Sequence, residues 1–207
     1  MGYITIKDRT EASFIEKRSE FIGYLAPVTT HDDAISFIDE IKSRHRKATH
    51  NVYAYILRDN NTTRHSDDGE PQGTAGIPVL DVLKKRGLTD ICCVVTRYFG
   101  GILLGGGGLV RAYSHATSIA VDSATIMNMC SCYQLRFSMD YTLYAKVNYI
   151  LTTSDIKMVD TNFSDCVTIT LLVKVERFDE LYKKLIDASN GSIRVEKSAE
   201  MFMDFNA

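Results

Sequence analysis

Apolar positions along the chain recur at two periods, and the switches between them mark out most of the elements. "EASFIEKRSEFIGYLAPV" alternates over two consecutive stretches and predicts two short strands. In "HDDAISFIDEIKSRHR" the spacing of Ala34, Ile35, Ile38 and Ile41 is helical, whereas "NVYAYILR" (51–58) alternates again. A polar run, "DNNTTRHSDDGEPQGTAG", separates that strand from a second helix. On this helix Ile77, Leu80 and Leu83 repeat, Pro78 suits the first turn and Gly87 the stop. "ICCVVTRYF" is apolar on both alternating faces up to Arg97, the mark of a central strand buried on both sides. Leu109, Ala112, Tyr113, Ala116 and Ala120 then form one stripe of a third helix, whose small residues let it lie close on a sheet.

From Tyr133 the pattern becomes strand (133–141), helix (143–153), strand (156–163), strand (166–176), helix (178–189) and strand (192–204). That βαββαβ order predicts a ferredoxin-like arrangement. The chain therefore reads as α+β in two domains: residues 1–134, an α/β domain with mixed connections, and residues 135–207, a small ferredoxin-like domain. No Pro- or Gly-rich linker marks the boundary.

Composition narrows the class. The 207 residues are 45% hydrophobic and 24% charged, the balance of an ordinary folded protein. A formal charge of −2 argues against a general polyanion binder but leaves room for a local basic patch. The five cysteines are odd in number, form no CxxC pair and sit in apolar or strand-like runs, which points to buried thiols in a reducing cytosol. No signal-peptide core and no apolar run of membrane-spanning length is present in the sequence, so the expected location is cytoplasmic and no membrane partner is expected.

The candidate chemistry centres on "VVTRYFGGILLGGGGLVRAYSHA", with Gly100, Gly101, Gly105, Gly106, Gly107 and Gly108 between Arg97 and Arg111. The run is neither a Walker loop, since no Gly-Lys-Ser/Thr follows, nor a dinucleotide loop, since Arg111 stands where GxGxxG needs its last glycine. A glycine-rich loop ending at a helix N-terminus still presents free N–H groups and the positive end of the helix dipole, and two arginines could add bidentate bonds to a phosphate or carboxylate. The other reading is architectural: positive φ, close packing, and arginines paired with the protein's own acids. "HSDDGEPQGTAG" offers Asp67, Asp68 and Glu70, which could hold Mg²⁺, act as a base beside the anion site, recognise a partner, pair with Arg97 or Arg111, or simply build a turn. Arg44, His45, Arg46 and Lys47, near His50, are either cations favoured at a helix C-terminus or a basic surface for RNA phosphate or an acidic partner. The histidines lack metal-site spacing, and Ser114 and His115, neighbours on a helix, point about 100° apart. No catalytic residue, metal or cofactor is assigned.

"KRSEFIGYL", "HRKATHNVYAYIL", "SDDGEPQGTAGIPVLDVL" and the long glycine-containing stretch together resemble the YigZ/IMPACT family, in its bacterial two-domain branch. The resemblance covers residues 17 to about 124 and, more weakly, the carboxy-terminal 70. It implies a ribosomal protein S5 domain-2-like fold for 1–134, and for 135–207 a likeness to a late domain of elongation factor G. Its motif positions here are His50, Asp67, Asp68, Gly69, Glu70, Pro71, Gly73, Thr74 and Gly76, then Arg97, Tyr98, Gly100, Gly101, Gly105, Gly107, Gly108, Arg111 and Ala112. Thr96 departs from an apolar preference. Eukaryotic members regulate translation by competing for an activator of the kinase that senses amino-acid starvation. They carry an RWD domain not seen in this sequence, so that partnership is not carried over. The expectation is a non-enzymatic, translation-associated regulator binding RNA, the ribosome or a translation-related protein, with no DNA specificity. The rival is a small hydrolase or phosphate-ester enzyme in which Asp67, Asp68 and Glu70 face Arg97, Arg111 and His50.

Overall fold

A computed structural model describes residues 2–205. The chain forms two compact units, one of Tyr3–Met127 and the other of the residues from Asn128 onward together with Gly2. The first holds β1 (Tyr3–Ile6), β2 (Thr10–Glu16), β3 (Ser19–Pro27), α1 (His31–Arg44), β4 (His50–Ile56), β5 (Thr63–Ser66), α2 (Gly76–Lys85), β6 (Ile91–Tyr98) and α3 (Gly106–Asp122). Five strands form a sheet in the order β2-β3-β6-β4-β5, every pair antiparallel, where mixed connections were expected. β6 is central, and seven of its eight residues are buried, Arg97 among them.

Alternation along the strands sends their side chains to two cores. On one face Tyr24, Ala26, Tyr55, Cys92 and Val94 pack with Ala34, Phe37, Ile38 and Ile41 of α1. On the other, Phe21, Leu25, Val52, Ala54, Cys93 and Val95 pack with α2 and α3. Local chemistry fixes the helix ends. Thr30 and Asp33 form a reciprocal capping box on α1. α2 stops at Gly87 (φ 67°), whose N–H reaches the Lys84 carbonyl while Leu88 N–H reaches that of Leu83, closing the turn over two buried leucines. All five stripe residues of α3 are buried.

β7 (Ile126–Met139) runs through the change of unit, and the 134/135 position read from the sequence lies inside it. The second unit continues with α4 (Tyr141–Thr152), β8 (Ile156–Phe163), β9 (Val167–Lys174), α5 (Phe178–Ala188), β10 (Val195–Lys197) and β11 (Met201–Asp204). β9 lies between β7 and β8, while β10 and β11 both pair with β7, each contact antiparallel. This is the ferredoxin-like βαββαβ order, with the last strand broken in two. Three residues separate Lys197 from Met201, but only two separate their partners Leu135 and Cys132, so one extra residue interrupts the ladder. Ser198 keeps Gln134 satisfied there through its backbone and its hydroxyl. The core of this unit is Leu135, Phe137, Val147, Leu151, Ile169, Leu171, Leu181 and Leu185.

The cysteines are all free. Cys92, Cys93 and Cys132 are buried, and Cys130 and Cys166 only partly so, which corrects the expectation of uniformly buried thiols. Burial pushes the Cys93 thiol up to about 12. Among the described residues no helix is long and apolar enough to cross a membrane.

Candidate functional site

Strand register brings the first site residues together. On β6, Arg97 stands opposite His50 of β4 on one side and Phe21 of β3 on the other. The acidic stretch folds back over this end of the sheet. Glu70, 8% exposed, puts Oε1 2.5 Å from Arg97 Nη1 and accepts the Tyr113 hydroxyl at 2.8 Å. His50 Nε2 lies 3.8 Å from the same oxygen. The Arg97 guanidinium also lies over the rings of Phe21 and Phe99, each centroid 5.4 Å away. Burial, then the Glu70 charge, pushes the Tyr113 hydroxyl far above its ordinary range, so it remains a donor.

The two aspartates have structural partners. Asp67 Oδ1 accepts the N–H groups of Ala75 and Gly76, and Oδ2 accepts that of Gly73, so a side chain eight residues upstream caps α2, whose own N-cap is Ala75. Burial raises its pKa, but the three backbone donors outweigh that and hold the carboxyl below its ordinary value. Asp68 accepts the backbone N–H of Asn51 at 2.6 Å and the ammonium of Lys42 at 3.1 Å, while its carbonyl faces His50 Nδ1 at 2.8 Å. Among the described residues no group of three or more His, Cys, Asp or Glu is placed to hold a metal ion. The acids therefore do not face two free arginines across an open site.

Arg97 and Arg111 line different clefts, where the sequence expectation set both at one anion site. Arg97 is buried and engaged by Glu70, because it sits on the central strand beneath the folded acidic loop. Arg111 is exposed on α3 and lines a second cleft with Glu16, Lys17 and His115, Leu104 being common to both clefts. The basic cluster is also less free than its sequence implies. Arg44 pairs with Glu11 at 3.4 Å and lies over the Tyr24 ring. His45 is held by the hydroxyls of Tyr24 at 2.7 Å and Tyr98 at 2.8 Å, and burial followed by the Arg44 charge lowers its pKa. Arg46 and Lys47 are exposed.

The glycine run divides by role. Gly100 passes so close to the Arg18 backbone that a Cβ would overlap its carbonyl, and Gly105, at the start of α3, takes φ 71°. Gly106, Gly107 and Gly108 form the first turn of α3, with no side-chain cap and no acid. Gly105 and Gly106 line a cleft of about 380 Å³ with Glu70, Arg97 and His50 at its polar end and Pro71, Phe99, Leu103, Leu104 and Leu109 as apolar lining, whereas Gly108 lines the second cleft with Arg111. Gly101 lies outside that lining, in the loop before Leu103. The sequence reading missed the apolar walls and the Tyr113 hydroxyl. The signal for the walls was four apolar residues, Phe99 and Ile102 to Leu104, inside a loop otherwise made of glycine.

Two family models match the chain: the Impact N-terminal domain over residues 17–121, and a domain of unknown function, DUF1949, over residues 137–192. The chain is 36% identical over 204 residues to the IMPACT family member YvyE of Bacillus subtilis, covering 98% of this chain and 94% of that one. It is 32% identical over 182 residues to the IMPACT family member YigZ of Escherichia coli, covering 86% and 89%. A crystal structure described as that of a hypothetical protein, 29% identical, superimposes with a TM-score of 0.61 over 94% of this chain and 96% of that one.

Proposed function

The chain belongs to the IMPACT family, and on that premise we propose that it is a non-enzymatic cytosolic protein that acts on translation by binding a translation-associated protein through the α3 cleft. One observation carries this reading. The ionised groups of the cleft, Glu70 and Arg97, are already paired with each other, whereas its mouth is apolar, with Leu103 82% exposed and Phe99 45% exposed. Apolar side chains held out on a loop beside a pocket serve protein contact. The hydrolase reading loses its machinery, since Asp67 caps a helix, Asp68 holds a strand backbone and Glu70 neutralises Arg97. RNA binding through Arg44, His45, Arg46 and Lys47 is weakened because the first two are tied to internal partners.

In-cell crosslinking followed by pull-down, scored for rRNA, tRNA and proteins together, tests the proposal. The expected result is translation-associated proteins captured by the native chain and lost with Leu103→Asp. Capture of RNA instead, weakening with salt and with Arg46→Ala/Lys47→Ala, would overturn the protein-partner reading. Metal-dependent turnover of a phosphate ester that disappears in Asp68→Asn would overturn the non-enzymatic one.

A further inference from the structure

Two glycines in the run have no steric reason to be glycine. Gly105 has a positive φ, and a Cβ on Gly108 would come within 2.9 Å of that of Leu104. A Cβ on Gly106 would meet nothing nearer than 3.8 Å, one on Gly107 nothing nearer than 3.7 Å, and neither residue has a positive φ. Glycine weakens a helix relative to alanine, so bare backbone at Gly106, which lines the cleft, favours close approach to its N–H over packing, while Gly107 lies beside the Arg111 guanidinium. The first backbone bond of α3 runs from Leu109 N–H to the Gly105 carbonyl, which leaves the N–H groups of Gly106 to Gly108 outside the helical ladder at its positive end.

A second observation comes from Arg97. It lines the same cleft and is 5% exposed, and its Nε has no hydrogen-bond partner among the described residues, although Nη1 serves Glu70. Buried donors are seldom left unpaired in native proteins. His50 supplies the opposite polarity. Its Nδ1 faces a carbonyl oxygen, which can only accept, so Nδ1 carries a proton, and in the neutral ring Nε2 is then an acceptor. Phe99, Leu103 and Leu104 complete the cleft with apolar surface.

We infer that the cleft takes a free peptide C-terminus ending in an apolar residue. The terminal carboxylate meets the N–H groups at the start of α3, a peptide N–H meets His50 Nε2, and the last side chain packs against Phe99, Leu103 and Leu104. Phosphate would suit the donors but leave the apolar wall unused, and a fatty carboxylate offers no N–H. The Glu70 charge is offset by that of Arg97, whose Nη1 its Oε1 engages together with the Tyr113 hydroxyl. This names the partner chemistry of the binding function proposed above and rests on it.

Calorimetric titration of the full chain tests the inference with N-acetyl-Gly-Gly-Leu as the free acid, its C-terminal amide, N-acetyl-Gly-Gly-Asp and inorganic phosphate. The leucine acid should bind, and the amide should bind about tenfold or more weakly, the loss expected for charge-assisted hydrogen bonds. The aspartate peptide should also be weaker. Gly106→Pro removes one donor while suiting the first helical position, and Leu103→Ser trims an exposed wall. Each should weaken the leucine acid with the fold intact by circular dichroism. Equal binding of acid and amide, or no saturable binding up to about 1 mM, would overturn the inference. So would binding of phosphate alone. Translation proteins captured in cells without any peptide binding would remove this ligand and leave the binding function standing.

Discussion

At the scale of single residues, the Glu70–Arg97–Tyr113 group decides how the centre of the first unit holds its charge. Both charged side chains are more than nine-tenths buried, where an ion pair is a poor source of net stability but a broken pair is costly. Removing Glu70 leaves the Arg97 cation uncompensated and the Tyr113 hydroxyl without its acceptor. Tyr113→Phe removes only one donor and leaves the ion pair. We therefore predict that Glu70→Ala costs about 3–5 kcal/mol, Tyr113→Phe about 1.5–3 kcal/mol, and that Glu70→Ala/Arg97→Met recovers part of the first loss. Urea denaturation midpoints check the order, and a Glu70→Ala loss no larger than that of Tyr113→Phe would refute it. Part of this group was legible in the sequence: Arg97 interrupts an apolar strand, and pairing with the nearby acids was one of the readings. Which acid it takes was not, because Glu70 reaches it only after the loop folds over the strand end. Tyr113 read as one more apolar position of a helical stripe, since periodicity reports the ring and not the hydroxyl.

At the scale of elements, the strong periods were readable and the short or interrupted strands were not. α1, α3 and β6 carry enough turns or alternations to declare themselves, whereas β1 and β5 are four residues each, too few to separate a strand from a polar loop. The start of α2 was hidden for a different reason: its cap, Asp67, is remote in sequence. Asp67 also gives this element a pH dependence. Its folded pKa lies below its unfolded value, so its contribution is complete above the ordinary carboxylate range. That contribution fades as pH falls from about 3.8 through the lowered folded value. Asp67→Ala, which leaves three N–H groups without their acceptor, should cost about 1–3 kcal/mol near neutral pH. The native chain should lose more stability than the variant as pH falls from about 5 to about 2, the window set by a depressed carboxylate. Denaturant titrations at several pH values measure both. Identical acid sensitivity in the two proteins would mean that the cap contributes nothing through its charge.

At the scale of the whole molecule, composition and pattern announced two bodies but could not fix where one ends. β7 continues without a Pro or Gly from Ile126 to Met139, so no chemical punctuation accompanies the change of unit. The cores are nevertheless separate in sequence. Every buried residue of the two clusters around the first sheet falls between Ile6 and Val121, and every one in the other cluster between Leu135 and Ile193. A fragment of residues 1–134 therefore retains both cores of the first unit, all five strands of its sheet and its three helices. We predict that it folds by itself with a single cooperative thermal transition. The fragment 135–207 has about half as many residues and a single small core, which is near the lower limit for independent stability. It should melt at a lower temperature than the larger fragment. Far-UV circular dichroism against temperature on both fragments and the full chain decides the matter. A 1–134 fragment that is unfolded while the full chain is stable would show that the second unit is needed for the first to fold, and that separate cores do not here mean separate folding.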